Sequence, residues 1–167
     1  MNNLELKAKT SSIDHERFMV NQLPCHHTEI LHQTDIYYRT ENGRLKLRII
    51  NKSEAQLIHY FRPNQTENKI SSYQILKLPN STDSIQFFDT LFKRWKTVEK
   101  TREVFLYKNA RIHLDQVEGL GSFIEFEVII ETPFPTSIDL NLFEELKSHF
   151  KIHPAQEISY SYSDMIE

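Results

Sequence analysis

The sequence predicts an α+β protein built on a large antiparallel sheet with helices packed outside it. Three observations lead there. Most segments alternate apolar and charged residues with the period of two that sends successive side chains to opposite faces of a strand. Short polar or glycine-containing turns separate them. Two longer stretches carry apolar residues at helical spacing. No repeat, linker or low-complexity tract divides the 167 residues, so 1–167 is read as a single domain.

The elements follow in order. Leu4–Lys9 alternates apolar and charged residues as a two-faced strand does. Ile13–Leu23 has helical spacing with Asp14 near its start, and Pro24–Gln33 reads as loop. Asp35–Thr40 and Arg44–Ile50 form two strands around the hairpin turn Glu41-Asn42-Gly43. Gln56–Arg62 and Ser72–Leu78 make a further pair joined by the polar segment Pro63–Ser71. Ser84–Val98 is expected as an amphipathic helix through Ile85, Phe88, Leu91, Phe92 and Trp95. Strands are predicted at Thr101–Tyr107, Ala110–Val117 and Phe123–Glu131, with turns at Lys108-Asn109 and Gly119-Leu120-Gly121. Ser137–Phe150 is a second helix whose stripe is Leu140, Phe143, Leu146 and Phe150, and Glu157–Ile166 is expected to add a last short strand.

Composition removes several classes of function. Twenty Lys and Arg stand against 23 Asp and Glu, for a formal net charge of −3, which is not the balance of a dedicated nucleic-acid binder. No apolar run approaches the ~20 residues of a spanning helix, and Met1–Lys9 is too charged for a secretory signal. The single cysteine, Cys25, excludes an internal disulfide framework and suits a reducing, cytoplasmic setting. The glycines are Gly43, Gly119 and Gly121, from which neither common phosphate-binding glycine loop can be built. Any phosphate site must therefore use side chains.

The charged strand faces carry the chemistry. Arg44, Lys46 and Arg48 share one face against Leu45 and Leu47; Glu5 and Lys7 share another against Leu4 and Leu6. Arg111, His113 and Asp115 lie together, as do Glu125 and Glu127, and Lys100 and Arg102 are also two apart. Each strand alone reads as the wet face of an ordinary sheet. As a set they read differently. The opposite faces are rich in Leu, Ile and Phe, and two amphipathic helices are available to cover them. A closed sheet with its charges inside then explains why like charges cluster, provided an anion lies between them. Convergent Arg and Lys suit a triphosphate, and carboxylates with phosphate oxygens suit a hard divalent cation.

The ordered set Glu5-x-Lys7, Asp35-Ile-Tyr-Tyr, Gly43-Arg-Leu-Lys-Leu-Arg48, Lys100-x-Arg102, Arg111-Ile-His-Leu-Asp115, Val117-Glu-Gly-Leu-Gly121, Phe123-Ile-Glu-Phe-Glu127 and Ser161-Tyr-Ser-Asp164 spans nearly the whole chain. It resembles the CYTH domain of the triphosphate tunnel metalloenzymes, especially the class IV adenylyl cyclase-like branch. The resemblance implies an eight-stranded antiparallel β-barrel with helices outside, Mg²⁺ or Mn²⁺ as cofactor and a small-molecule triphosphate as partner. It implies conversion of ATP to cyclic AMP and pyrophosphate, with hydrolysis of thiamine triphosphate or inorganic triphosphate as the alternative. Glu5, Glu125 and Glu127 fall to the metal, with Asp115 as a helper. Lys7, Arg48, Arg62, Lys100 and Arg102 match the basic lining, to which Lys46 is added because it shares the face of Arg48. Lys7, Lys100, Arg102 and Asp115 are the catalytic candidates. A homodimer is also compatible with the resemblance, though the residues themselves are silent on it. One departure matters: the family signature Glu-x-Glu-x-Lys begins here with Asn3, which brings no charge and leaves a non-catalytic triphosphate-binding module as a third reading.

Other signals have plainer explanations. Cys25, His26, His27 and His32 match no standard zinc spacing and read as a mobile polar loop. Trp95 reads as core of its helix. His113 could transfer a proton or hold a structural hydrogen bond. Tyr37, Tyr38, Tyr60 and Tyr73 could stack a base or be ordinary strand residues.

Overall fold

The computed structural model describes residues 2–61 and 70–167. Its strands are β1 (Asn2–Thr10), β2 (His26–Tyr38), β3 (Arg44–Ile50), β4 (Glu54–Phe61), β5 (Ile70–Leu78), β6 (Arg94–Tyr107), β7 (Ala110–Val117) and β8 (Gly121–Ile130). They close into an antiparallel barrel in the order β1-β5-β4-β3-β2-β6-β7-β8. Helices α1 (Ile13–Val20), α2 (Ser81–Leu91), α3 (Ser137–His149) and the short α4 (Tyr162–Met165) complete the chain.

Alternation decides which side chains enter the barrel. On β1, Leu4, Leu6 and Ala8 join Ile112, Leu114, Ile124, Phe126 and Val128 in an outer core roofed by Val20 of α1 and Leu142 and Leu146 of α3. A second outer cluster sets Ile36, Leu45, Leu47 and Ile49 against Phe88 of α2. The polar residues of the same strands are thereby left facing inward, where Asn3, Glu5, Lys7, Asp35, Lys100, Arg102 and Glu125 are all buried. The three long helices begin at side-chain caps. Ser12 and Asn80 accept from His15 and Asp83, and Thr136 forms a capping box with Asp139.

One end of the barrel is covered by the C-terminal segment. Tyr162 packs with Tyr37, Val98, Val117 and Phe123, with Ile158, Met165 and Ile166 beside them. Ile158 N–H donates to the Lys7 carbonyl, Lys96 Nζ donates to the Ile166 carbonyl, and Arg44 pairs with Asp164 at 2.8 Å.

Three expectations need correction. The stretch read as loop before Gln33 is the first half of β2, which pairs with β6 from His26 onward. Its residues from His26 to Ile30 are exposed and lack an apolar face, so the strand signal is absent from the sequence there. His26, His27 and His32 therefore belong to β2, and Cys25 immediately precedes it. The helix expected through Val98 ends at Leu91, because Phe92 is already extended and Arg94 starts β6. Trp95 keeps its helical spacing by coincidence; it is a strand residue with the Arg39 guanidinium 5.0 Å above its ring. The tail forms a 3-10 turn at Pro154–Gln156 and α4 instead of a strand, with one isolated bridge from Glu157 to Ala8. Among the described residues no helix is long and apolar enough to cross a membrane.

Candidate functional site

The inward side chains enclose a cavity of about 440 Å³ that runs along the bore. Two copies of one local device line it. On β3, Lys46-x-Arg48 faces Asp35 of β2, with Asp35 directly opposite Arg48 in register. Arg48 donates to Asp35 through Nε (2.7 Å) and Nη2 (2.8 Å), and Lys46 Nζ donates at 2.9 Å. On β6, Lys100-x-Arg102 faces Asp115 of β7, with Asp115 directly opposite Arg102. Arg102 donates to Asp115 through Nε (2.7 Å) and Nη2 (2.6 Å), and Lys100 Nζ donates at 2.9 Å. Each aspartate thus fixes a guanidinium fork and an ammonium at once.

The device follows from strand geometry. Residues two apart on a strand share a face, and a residue opposite them on the neighbouring strand has its Cβ about 5 Å away. Asp115 is fully buried and also accepts from the Tyr162 hydroxyl at 2.9 Å. The structure therefore makes it the anchor of Lys100, Arg102 and the C-terminal segment.

The wall formed by β1, β7 and β8 is acidic. Glu5 stands opposite Glu127 and Lys7 opposite Glu125 in register. His113, Glu125 and Glu127 bring potential ligand atoms within 4.8 Å of one another, and Glu5 stands beside that group. Glu125 is joined to Arg102 at 3.4 Å and to Lys7 at 3.9 Å, and Glu127 to Arg111 at 2.8 Å. Asn3 Nδ2 donates to Glu127 (3.3 Å) and to the Tyr73 hydroxyl (3.2 Å), while its buried Oδ1 has no hydrogen-bond partner among the described residues. Lys7 also reaches the Tyr160 carbonyl at 3.4 Å and lies 4.2 Å over the Tyr162 ring.

Burial and neighbouring charge act against each other here. Burial alone would raise the Asp35 carboxyl, yet Arg48 and Lys46 hold it well below the usual range. Asp115 and Glu125 are likewise held low: burial opposes the shift, Arg102 leads the attraction in both, and Lys100 or Lys7 follows. Burial pushes the Lys46 ammonium down to about 8 and Lys100 down to about 7, in each case helped by the adjacent Arg and resisted by the paired Asp. Burial, with Arg102 nearby, lowers His113 below its ordinary value.

The structure brings together Glu5, Lys7, Lys46, Arg48, Lys100, Arg102, Glu125 and Glu127 around one bore. Arg62 lies outside the described residues. Sequence reasoning gave no role to Asp35 or Tyr162, which hold the basic residues in place. The repeated Lys-x-Arg was the available signal for Asp35, since each pair needs a buried counter-charge.

The CYTH domain profile matches residues 1–154. The chain belongs to the CYTH domain family. Its barrel is the triphosphate-tunnel fold of that family, whose members bind triphosphates and generally depend on a metal. Solved structures share the CYTH fold across almost the full chain. The PH1012 protein of Pyrococcus horikoshii OT3 is 19% identical with a TM-score of 0.87, covering 99% of each chain. A protein described as a "putative adenylate cyclase" from Vibrio parahaemolyticus is 21% identical with a TM-score of 0.76, covering 98% of this chain and 96% of its own. Another so described, from Bacillus halodurans, is 17% identical with a TM-score of 0.59, covering 98% and 96%. No curated protein matches the sequence.

Proposed function

We propose that this CYTH protein is a metal-dependent enzyme acting on a triphosphate, with cyclisation of ATP to cyclic AMP and pyrophosphate as its reaction. The observation that carries the reading is the pair of Lys-x-Arg clamps, each locked by its own aspartate and both lining one bore with a wall of carboxylates. Fixed cations cost little reorganisation when charge develops on a phosphate, which is where most phosphoryl-transfer catalysis originates. The likeness to two proteins each described as a "putative adenylate cyclase" favours cyclisation over hydrolysis.

The donor set fits a hard cation. Glu125 and Glu127 supply adjacent carboxylates, Glu5 stands beside them, and the unsatisfied Asn3 Oδ1 belongs to a side chain already touching Glu127. When bound there, Mg²⁺ or Mn²⁺ supplies Lewis-acid polarisation of phosphate oxygens. Arg48 and Lys46 grip one part of the triphosphate, and Lys100, Arg102 and Lys7 offset the charge that develops as the ribose 3′-oxygen bonds the α-phosphorus. The bond from the α-phosphorus to the bridging oxygen breaks, pyrophosphate leaves with that electron pair, and the hydroxyl proton passes to water. Incubating the protein with ATP, thiamine triphosphate or inorganic triphosphate, each with Mg²⁺ or Mn²⁺, and identifying products tests the proposal. Cyclic AMP plus pyrophosphate supports it; orthophosphate from any of the three replaces it with a triphosphatase.

One observation favours a second reading, a binding module without turnover. Asn3 donates to Glu127, occupying with a neutral amide the place of a family carboxylate. Asn3→Asp separates the two readings. On the binding-module reading it produces metal-dependent turnover where the native chain has none; on the enzyme reading the native chain already turns over.

A further inference from the structure

The bore changes character toward its open end. Beyond Arg48 on β3 the next inward residue is Ile50, and beyond Arg102 on β6 it is Val104; both are buried. On β2 the inward series moving out from Asp35 is Gln33, then Leu31, then the exposed Glu29. On β2, β3 and β6 charged side chains therefore give way to aliphatic ones on the side away from the covering C-terminal segment, while β7 and β8 present His113, Arg111 and Glu127 across from them. Phosphate has no use for such aliphatic side chains, whereas the flat apolar part of a phosphate ester does.

Among the described residues His113 Nδ1, beside the acidic wall, and Gln33 Oε1, beside the aliphatic side chains, are buried at this level without a hydrogen-bond partner. Gln33 is 4% exposed and lies between Ile50 of β3 and Lys100 of β6 in register. Lys100 spends its ammonium on Asp115, and the Gln33 Oε1 has no hydrogen-bond partner among the described residues. A buried amide oxygen without a donor is costly to the empty protein, and a ligand N–H removes that cost. A phosphate oxygen, being an acceptor, cannot.

Resting on the triphosphate reading above, we infer that Gln33 determines specificity for the organic part of the substrate: its Oε1 accepts from an exocyclic amino group of a nucleobase held between Leu31, Ile50 and Val104. Discrimination at this bond is a matter of pairing. An analogue with a carbonyl in place of the amine cannot donate to Oε1 and pairs with Gln33 only if the buried amide turns over to present Nε2.

The test is equilibrium binding by calorimetry, in the presence of Mg²⁺, of three probes: ATP, inosine triphosphate and inorganic triphosphate. The native protein should prefer ATP to inosine triphosphate by about tenfold, the worth of one good hydrogen bond. In Gln33→Leu that ratio should fall to near one, while inorganic triphosphate binds as before. Leu31→Ala, at a half-buried position where folding is little at risk, should weaken both nucleotides together and spare inorganic triphosphate. An unchanged ATP preference in Gln33→Leu overturns the assignment, as does a parallel loss for inorganic triphosphate. Binding of inorganic triphosphate with no nucleotide preference in the native protein sinks the specificity role alone. Failure of all three probes to bind sinks it together with the triphosphate reading.

Discussion

Replacing Asp115 by Asn isolates what the buried anchors contribute. Asp115 is fully buried, and its two oxygens accept from Arg102 Nε and Nη2, Lys100 Nζ and the Tyr162 hydroxyl. Asn keeps the shape but removes the charge, and its Nδ2 turns a donor toward donors. Arg102 loses its nearer carboxylate while keeping its desolvation cost and is left with Glu125 at 3.4 Å, and Lys100, already lowered to about 7, sheds its proton. Breaking a buried pair in this way costs about 3–5 kcal/mol. For a chain of this length that is roughly a 10 °C fall in melting temperature. Urea unfolding of both proteins at pH 7, followed by far-UV and near-UV signals, measures it through the midpoint at constant slope. Lys108→Gln is the control, because its pair with Glu145 is solvent-exposed at both ends and should leave the midpoint unmoved. A loss below about 1 kcal/mol in Asp115→Asn would refute the argument, since Lys100 and Arg102 would then need no fixed counter-charge.

Three further outcomes are expected. Arg48→Ala should weaken inorganic triphosphate far more than orthophosphate, by about 2 kcal/mol or thirtyfold in a calorimetric titration, because only the longer anion reaches both clamps; equal losses would place Arg48 outside the binding region. Glu125→Gln should abolish metal-dependent turnover and retain the native near-UV spectrum, and full activity would remove Glu125 from the metal assignment. Stability should be highest above the unfolded carboxylate range and fall as acid is added below about pH 4. The sign follows from Asp35, Asp115 and Glu125 being held low when folded, so that the unfolded chain takes up protons first. A urea midpoint unchanged between pH 7 and pH 3 would contradict this.

Much of this barrel was legible because its alternation is strict where both faces have a fixed fate. β3 and β7 were placed at their observed limits, Arg44–Ile50 and Ala110–Val117, since each sets a row of charges against a row of aliphatics. The same alternation exposed Lys46, Arg48, Glu125 and Glu127 as inward candidates. It failed for the first half of β2, where both faces meet water and no pattern is imposed. It failed also at Phe92, where an apolar residue continues the helical stripe although the backbone has turned extended. The pairing of Asp35 with Arg48 depends on register between strands, and the anchoring by Tyr162 on a tail that folds back across the barrel end. Neither relation is local, so the sequence pattern shows at most that each Lys-x-Arg needs a counter-charge, and not which residue supplies it.

The covered barrel end has a kinetic consequence. Among the described residues the C-terminal segment packs across one end of the bore, so on the proposed function substrate and products share the other end. For the proposed cyclisation, the polyphosphate lies inside the nucleoside, so cyclic AMP departs first and pyrophosphate last. Ordered release of that kind makes pyrophosphate a competitive inhibitor against ATP and cyclic AMP a noncompetitive one. The fold would then tie the pace of turnover to how quickly two preformed cationic clamps let go of the smaller product, and any agent that removes pyrophosphate from solution would speed the enzyme without touching it.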